Sequence, residues 1–170
     1  EGAITYLFPR GSVIAVPSFS FVAVASSLVR CGMRPLFVDV DRYTWTMDYN
    51  LAISNIVNIA GMLIPSAFGA LPDERFSRLL VPTILDNAEG FGNTSGLFCG
   101  LDTYSFHATK LVNSAEGGGV ACGKNAGKWL REWRNFGIGE HGDVGFVGTN
   151  AKMSEFHAAL GIRSLAIETS

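Results

Sequence analysis

Charge is scarce in this chain: only 16% of its 170 residues are Asp, Glu, Lys or Arg, and the net charge is −2. No cluster of Lys and Arg exceeds an isolated pair, so the electrostatic footprint of a nucleic-acid binder is missing. Cysteine is scarce as well. Cys31, Cys99 and Cys122 are widely spaced, form no C-x-x-C and sit beside no histidine at ligand spacing. That disfavours metal and redox work and leads us to expect small buried thiols in a reducing, cytoplasmic compartment. A long apolar run is also lacking. The greasiest stretch, Val13 to Val29, is broken by Pro17 and by Ser18, Ser20, Ser26 and Ser27, and falls short of the ~20 apolar residues of a membrane span. It reads as strand, turn and buried helix, with no targeting segment and no membrane partner. Neither G-x-G-x-x-G nor G-x-x-x-x-G-K-[ST] occurs, which removes support for hydride transfer and ATP hydrolysis. Without G-x-S-x-G, an α/β-hydrolase is disfavoured too.

What the chain does have is apolar sequence, 48% of it, enough to bury roughly 70% of the unfolded surface. Apolar runs without alternation, Val13–Val16, Leu36–Val40, Gly61–Ile64 and Thr83–Asp86, read as strands, followed by short ones at Thr103–Phe106 and Gly119–Cys122. Helices are expected over Phe21–Val29, Asp48–Ile56 with Asp48 as N-cap, Pro72–Leu80, Asn125–Asn135 and Ser154–Ile167. Apolar strands separated by helices imply a sheet covered on both faces: a three-layer α/β/α domain with a mainly parallel sheet. There is no internal repeat and no second domain. Glu1–Leu7 shows neither cap nor turn signal, and the final stretch to Ser170 stops inside a helical pattern. Residues 1–170 are therefore expected to be a partial domain of a longer chain.

In parallel sheets ligands gather beyond the carboxyl ends of the strands, where Asp39, Asp86 and the residues after Phe106 should lie. Lys110 follows the hydroxyl-bearing run Tyr104-Ser105-Phe106-His107-Ala108-Thr109. A lysine there can hold an aldehyde as a Schiff base, and Asp86, ending a β-branched strand near the centre of the sheet, can keep a pyridine nitrogen protonated. Pyridoxal 5'-phosphate (PLP) chemistry needs that combination. Each residue taken alone has a plainer role: an exposed lysine at a strand end, and an aspartate opening the turn before Asn87. Ser105, and less strongly Thr109, are candidates to donate a hydroxyl to a phosphate. Phe21, at the mouth of the first helix, is placed to stack on a flat heterocycle, although core packing is the commoner fate of a phenylalanine. His107 has no carboxylate partner in its local spacing and reads as a structural histidine.

Together these segments resemble the DegT/DnrJ/EryC1/StrS family of PLP-dependent sugar aminotransferases, over nearly the whole chain. The resemblance is carried by Val16-Pro17-Ser18-Phe19-Ser20-Phe21, by Pro35 to Asp41 followed by Tyr43-Thr44-Trp45, and by Leu85 to Gly92. Ser105 to Lys110, Arg134-Asn135-Phe136-Gly137 and Gly148 to Glu155 extend it. It implies the large domain of a fold-type I PLP-dependent transferase, with Lys110 as the Schiff-base lysine, Asp86 on the pyridine nitrogen, Ser105 on the cofactor phosphate and Phe21 over the ring. It also implies that Asn150 reaches the phosphate of a neighbouring subunit, hence a homodimer with shared active sites.

The implied reaction moves an amino group from L-glutamate to a nucleotide-linked keto sugar, for amino-sugar, polysaccharide or antibiotic biosynthesis. Two departures stand out. Glu89 occupies a position usually held by His or Gln beside the cofactor's phenolic oxygen, which a carboxylate should repel unless protonated or turned away. Asn87 replaces a commoner small residue. The family's upstream Gly-Thr segment and its C-terminal small domain are absent, so this segment alone is expected to be inactive. Competing readings are a PLP-dependent sugar dehydratase, which typically carries His where Lys110 stands, a non-catalytic relative binding a nucleotide sugar, and another PLP enzyme such as a lyase.

Overall fold

The computed structural model describes residues 1–93 and 100–168, so Cys99 lies outside the described residues. Strands β1 (Val13–Pro17), β2 (Arg34–Val38), β3 (Gly61–Pro65), β4 (Thr83–Asp86), β5 (Leu101–Ser105) and β6 (Gly118–Cys122) form one sheet in the order β2-β1-β3-β4-β5-β6. The pairings that join β1 through β5 are parallel, and β6 returns antiparallel along β5. This is the mainly parallel, doubly covered sheet that the apolar runs imply.

Alternation of side chains across the strands divides the core into two layers. Ile14, Val16, Leu63 and Ile84 point to one face and pack with α1 (Gly2–Leu7), α2 (Val22–Arg30) and α4 (Lys124–Trp133) through Ile4, Val24, Leu28 and Ala126. Ala15, Met62 and Ile64 point to the other and pack with Ala52 of α3 (Tyr49–Ser54), Met47 and Phe76. Each fully buried Ile, Leu or Phe contributes roughly 1.5–3 kcal/mol. The apolar spacing of Val24 and Leu28 turns one face of α2 inward. Gly32, at φ +77°, then supplies the left-handed turn that sends the chain into β2. Asp48 caps α3 by accepting from the Leu51 N–H at 2.9 Å.

The structure departs from the sequence expectations in several places. Helix α1 has no side-chain cap, so nothing marks it in the sequence. Residues Glu74–Arg78 form a 3₁₀ turn rather than an α-helix: Asp73 Oδ1 takes the Arg75 N–H two residues on, at 2.9 Å, and tightens the winding. β2 stops at Val38 because the Asp39 carboxylate takes the Val40 N–H at 2.8 Å, outside any ladder. Cys31 and Cys122 are free thiols, half-buried rather than buried. Helix α5 (Glu155–Glu168) buries none of its residues against the rest of the chain described here.

Candidate active site

β1 pairs with β2 on one side and with β3 on the other, so the connections leave the sheet in opposite directions at β1 and β3. A crevice opens beyond the strand ends at such a point. It is a cavity of about 720 Å³, within the usual range for a small-molecule site, lined by residues that follow β1, β3, β4 and β5.

Phe21, Asp86, Glu89, Ser105 and Lys110 all line this cavity. Pro17 ends β1, and Phe21 follows as the residue before α2, with its ring 77% exposed toward the opening. Asp86 is the last residue of β4, in register with Pro65 and Thr103 on the flanking strands. Among the described residues its half-buried carboxylate receives two long hydrogen bonds, from the Ala88 N–H and the Thr103 hydroxyl, both at 3.3 Å. Burial pushes its pKa above the ordinary carboxylate value; those two donors and the nearby Lys110 charge offset the rise in part. A cationic N–H against this group would offset the cost of burying its charge.

Ser105 ends β5, and its hydroxyl accepts from the His107 N–H at 3.3 Å. A tight turn, Lys110 N–H to His107 carbonyl at 2.9 Å, then brings Lys110 back over the strand ends. Lys110 Nζ lies 3.5 Å from Glu89 Oε1. The other oxygen, Glu89 Oε2, accepts from the Phe68 N–H at 2.8 Å. Glu89 thus faces the lysine with one oxygen and the β3 exit with the other.

Thr109 bonds His107 Nδ1 at 3.0 Å. His107 corrects the sequence reading: its Nε2 lies 3.5 Å from Glu116 Oε1, a carboxylate supplied by the β5–β6 connection rather than by local spacing. Asn150 bridges to Asn135 and does not line this chain's cavity.

Sequence reasoning missed the brace beneath the site. Asn87 is fully buried, accepts from Ser66 Oγ at 2.6 Å and donates to the Gly90 carbonyl at 3.0 Å. Asn93 donates to the Gly69 carbonyl, which with the Phe68–Glu89 bond ties the exits of β3 and β4 at several points. The only sequence signal was Asn87 standing where a small residue is usual.

The model of the DegT/DnrJ/EryC1/StrS aminotransferase family matches residues 7–167. The chain belongs to this family. Protein Rv3402c of Mycobacterium tuberculosis (strain H37Rv) is 34% identical to it over 173 residues, covering 92% of this chain and 42% of that protein. The dTDP-4-amino-4,6-dideoxy-D-glucose transaminase of Shigella dysenteriae is 34% identical over 175 residues, covering 96% and 47%. A crystal structure from Bacillus cereus, assigned as a PLP-dependent aminotransferase, superposes with a TM-score of 0.88 at 30% identity, over 97% of this chain and 49% of that one. The chain spans about half the length of the relatives it matches. PLP is the cofactor of these aminotransferases. The cavity fits it on its own chemistry: an amine, a carboxylate short of donors, a strand-end hydroxyl and an uncovered aromatic face share one crevice.

Proposed function

We propose that this chain is part of the PLP-binding large domain of a cytoplasmic sugar aminotransferase, which moves the amino group of L-glutamate to a nucleotide-linked keto sugar. The observation that carries the reading is the convergence of Lys110, Asp86, Ser105 and Phe21 on one cavity at the exits of the parallel strands. The nucleotide-linked sugar named for the Shigella relative supports the substrate class.

When bound, PLP supplies an aldehyde for amines and a ring that accepts electrons. The protein's part is to hold and to move protons. Asp86 would keep the ring nitrogen protonated, and that positive partner would offset the cost of burying the carboxylate. Ser105 would donate its hydroxyl to the phosphate, and Phe21 would cover the ring and keep water from it. Lys110 would hold the cofactor through its aldehyde. Its Nζ, as a free amine, would be the group at this site able to take and return a proton at the substrate carbon, as general base and then acid. Glu89 Oε1, 3.5 Å from Lys110 Nζ, would accept a hydrogen bond from the freed amine. Asn150, turned away from this chain's cavity, serves the neighbouring active site of a homodimer.

Lys110→Ala in the full-length protein is expected to abolish glutamate-dependent amine transfer to nucleotide-linked keto sugars. Normal turnover of that variant contradicts the assignment.

A further inference from the structure

The outer wall of the cavity is aromatic, and the chemistry just described makes no use of it. The Phe19 ring lies 5.3 Å from Trp45 and 6.2 Å from Phe68, centroid to centroid. Phe19 and Phe68 line the cavity, and Trp45 packs against Phe19 beside it. The three rings are 42%, 52% and 75% exposed for Phe19, Trp45 and Phe68 respectively, so core packing does not explain them.

Two of the three are held against their backbone preference. Trp45 has φ +62° and Phe68 has φ +55°, the left-handed region that disfavours bulky side chains. Acidic residues fix both turns. Asp41 Oδ1 accepts the Tyr43 and Thr44 N–H groups at 2.9 and 2.8 Å, and its carbonyl accepts the Trp45 N–H at 2.9 Å. Glu89 Oε2 accepts the Phe68 N–H. Strain kept in place by dedicated hydrogen bonds, with the resulting side chains left in solvent, marks a surface shaped for a ligand rather than for the core.

We propose that Phe19, Trp45 and Phe68 form a stacking wall for the heterocyclic base of the nucleotide-linked substrate. The inference rests on the reading above, which puts the reacting sugar carbon at Lys110. Glu89 links Lys110 to the Phe68 backbone, so the rings begin one residue away from the reacting end and continue from Phe68 to Phe19 and from Phe19 to Trp45. The part of the substrate beyond the sugar meets these rings. Every base has a flat π face, so a wall of this kind favours a nucleotide with little discrimination among bases.

The test uses the full-length protein, titrated by calorimetry with sugar-free thymidine diphosphate and guanosine diphosphate. Trp45→Gly and Phe68→Gly remove the rings while glycine accepts the left-handed backbone without strain. Each is expected to weaken nucleotide binding about tenfold, with Trp45→Phe retaining most of it. Melting temperature should be unchanged or raised, and visible absorbance of bound PLP unchanged. Wild-type affinity for both nucleotides in both glycine variants overturns the proposal, as does a PLP-bound wild type that takes up neither nucleotide. A dimer that falls apart in the glycine variants, with affinity per subunit intact, overturns it as well. Failure of the wild type to take up PLP at all would instead remove the aminotransferase reading.

Discussion

Within β3 every residue from Gly61 to Pro65 is buried, and the strand interiors beside it are equally apolar. Immediately beyond, the rules reverse. Ser66 commits its hydroxyl to the fully buried Asn87, Phe68 stands exposed at φ +55°, and Asp86 ends its strand with a half-buried carboxylate short of donors. The two regions are contiguous in the chain yet divide the work. The interiors stabilise the sheet through burial, while the exits carry polar and strained groups whose cost the interiors must offset. Functional chemistry can be read where stability is being given up.

Substitutions should separate the two regions. The largest stability effect is expected inside the sheet: Ile64→Ala, at a fully buried position, should cost about 2–5 kcal/mol in urea unfolding. A loss below about 1 kcal/mol would break the contrast. Next is the brace between the exits. Asn87→Ala deprives the Ser66 hydroxyl of its short partner and the Gly90 carbonyl of one of its two donors, and should cost about 1–3 kcal/mol by the same measurement.

Asp86→Asn should act in the opposite direction. The folded-state pKa of Asp86 lies above its ordinary value of 3.8, so ionising it costs stability. Below the unfolded-state value both states hold the proton and the cost is absent. It grows as the pH climbs through the interval between the two values and is full above the folded one. Asp86→Asn should therefore raise the melting temperature of the PLP-free protein at neutral pH by a few degrees, on the order seen for small stabilising changes in chains of this size, with the gain vanishing in acid. PLP retention should fall in the same variant. A neutral-pH melting temperature below wild type would contradict the electrostatic account. Smallest of all, Glu89→Gln breaks a half-exposed ion pair with Lys110 and should change stability by less than about 1 kcal/mol.

The interiors were the legible part. Unalternating apolar runs closed by Pro17, Pro65 and Asp86 marked β1, β3 and β4, and the position of β4 near the middle of the sheet followed. Lys110, Asp86, Ser105 and Phe21 were visible because an amine, a carboxylate, a hydroxyl and a ring at strand ends form a chemical set. The exits hid what depends on three-dimensional closure. No propensity places Trp45 or Phe68 in left-handed backbone, since both residue types oppose it. The direction taken by the Glu89 carboxylate depends on a loop twenty-one residues away. Glu116 reaches His107 only because β6 folds back antiparallel on β5. Helix α1 escaped notice because tertiary packing of Ala3 and Ile4, not a cap, holds it.

The central claim is that Lys110 captures the cofactor, and borohydride reduction tests it most directly. Full-length protein incubated with PLP and then reduced should yield a tryptic peptide carrying a pyridoxyl mass on Lys110. An unmodified Lys110 in folded protein would contradict the account.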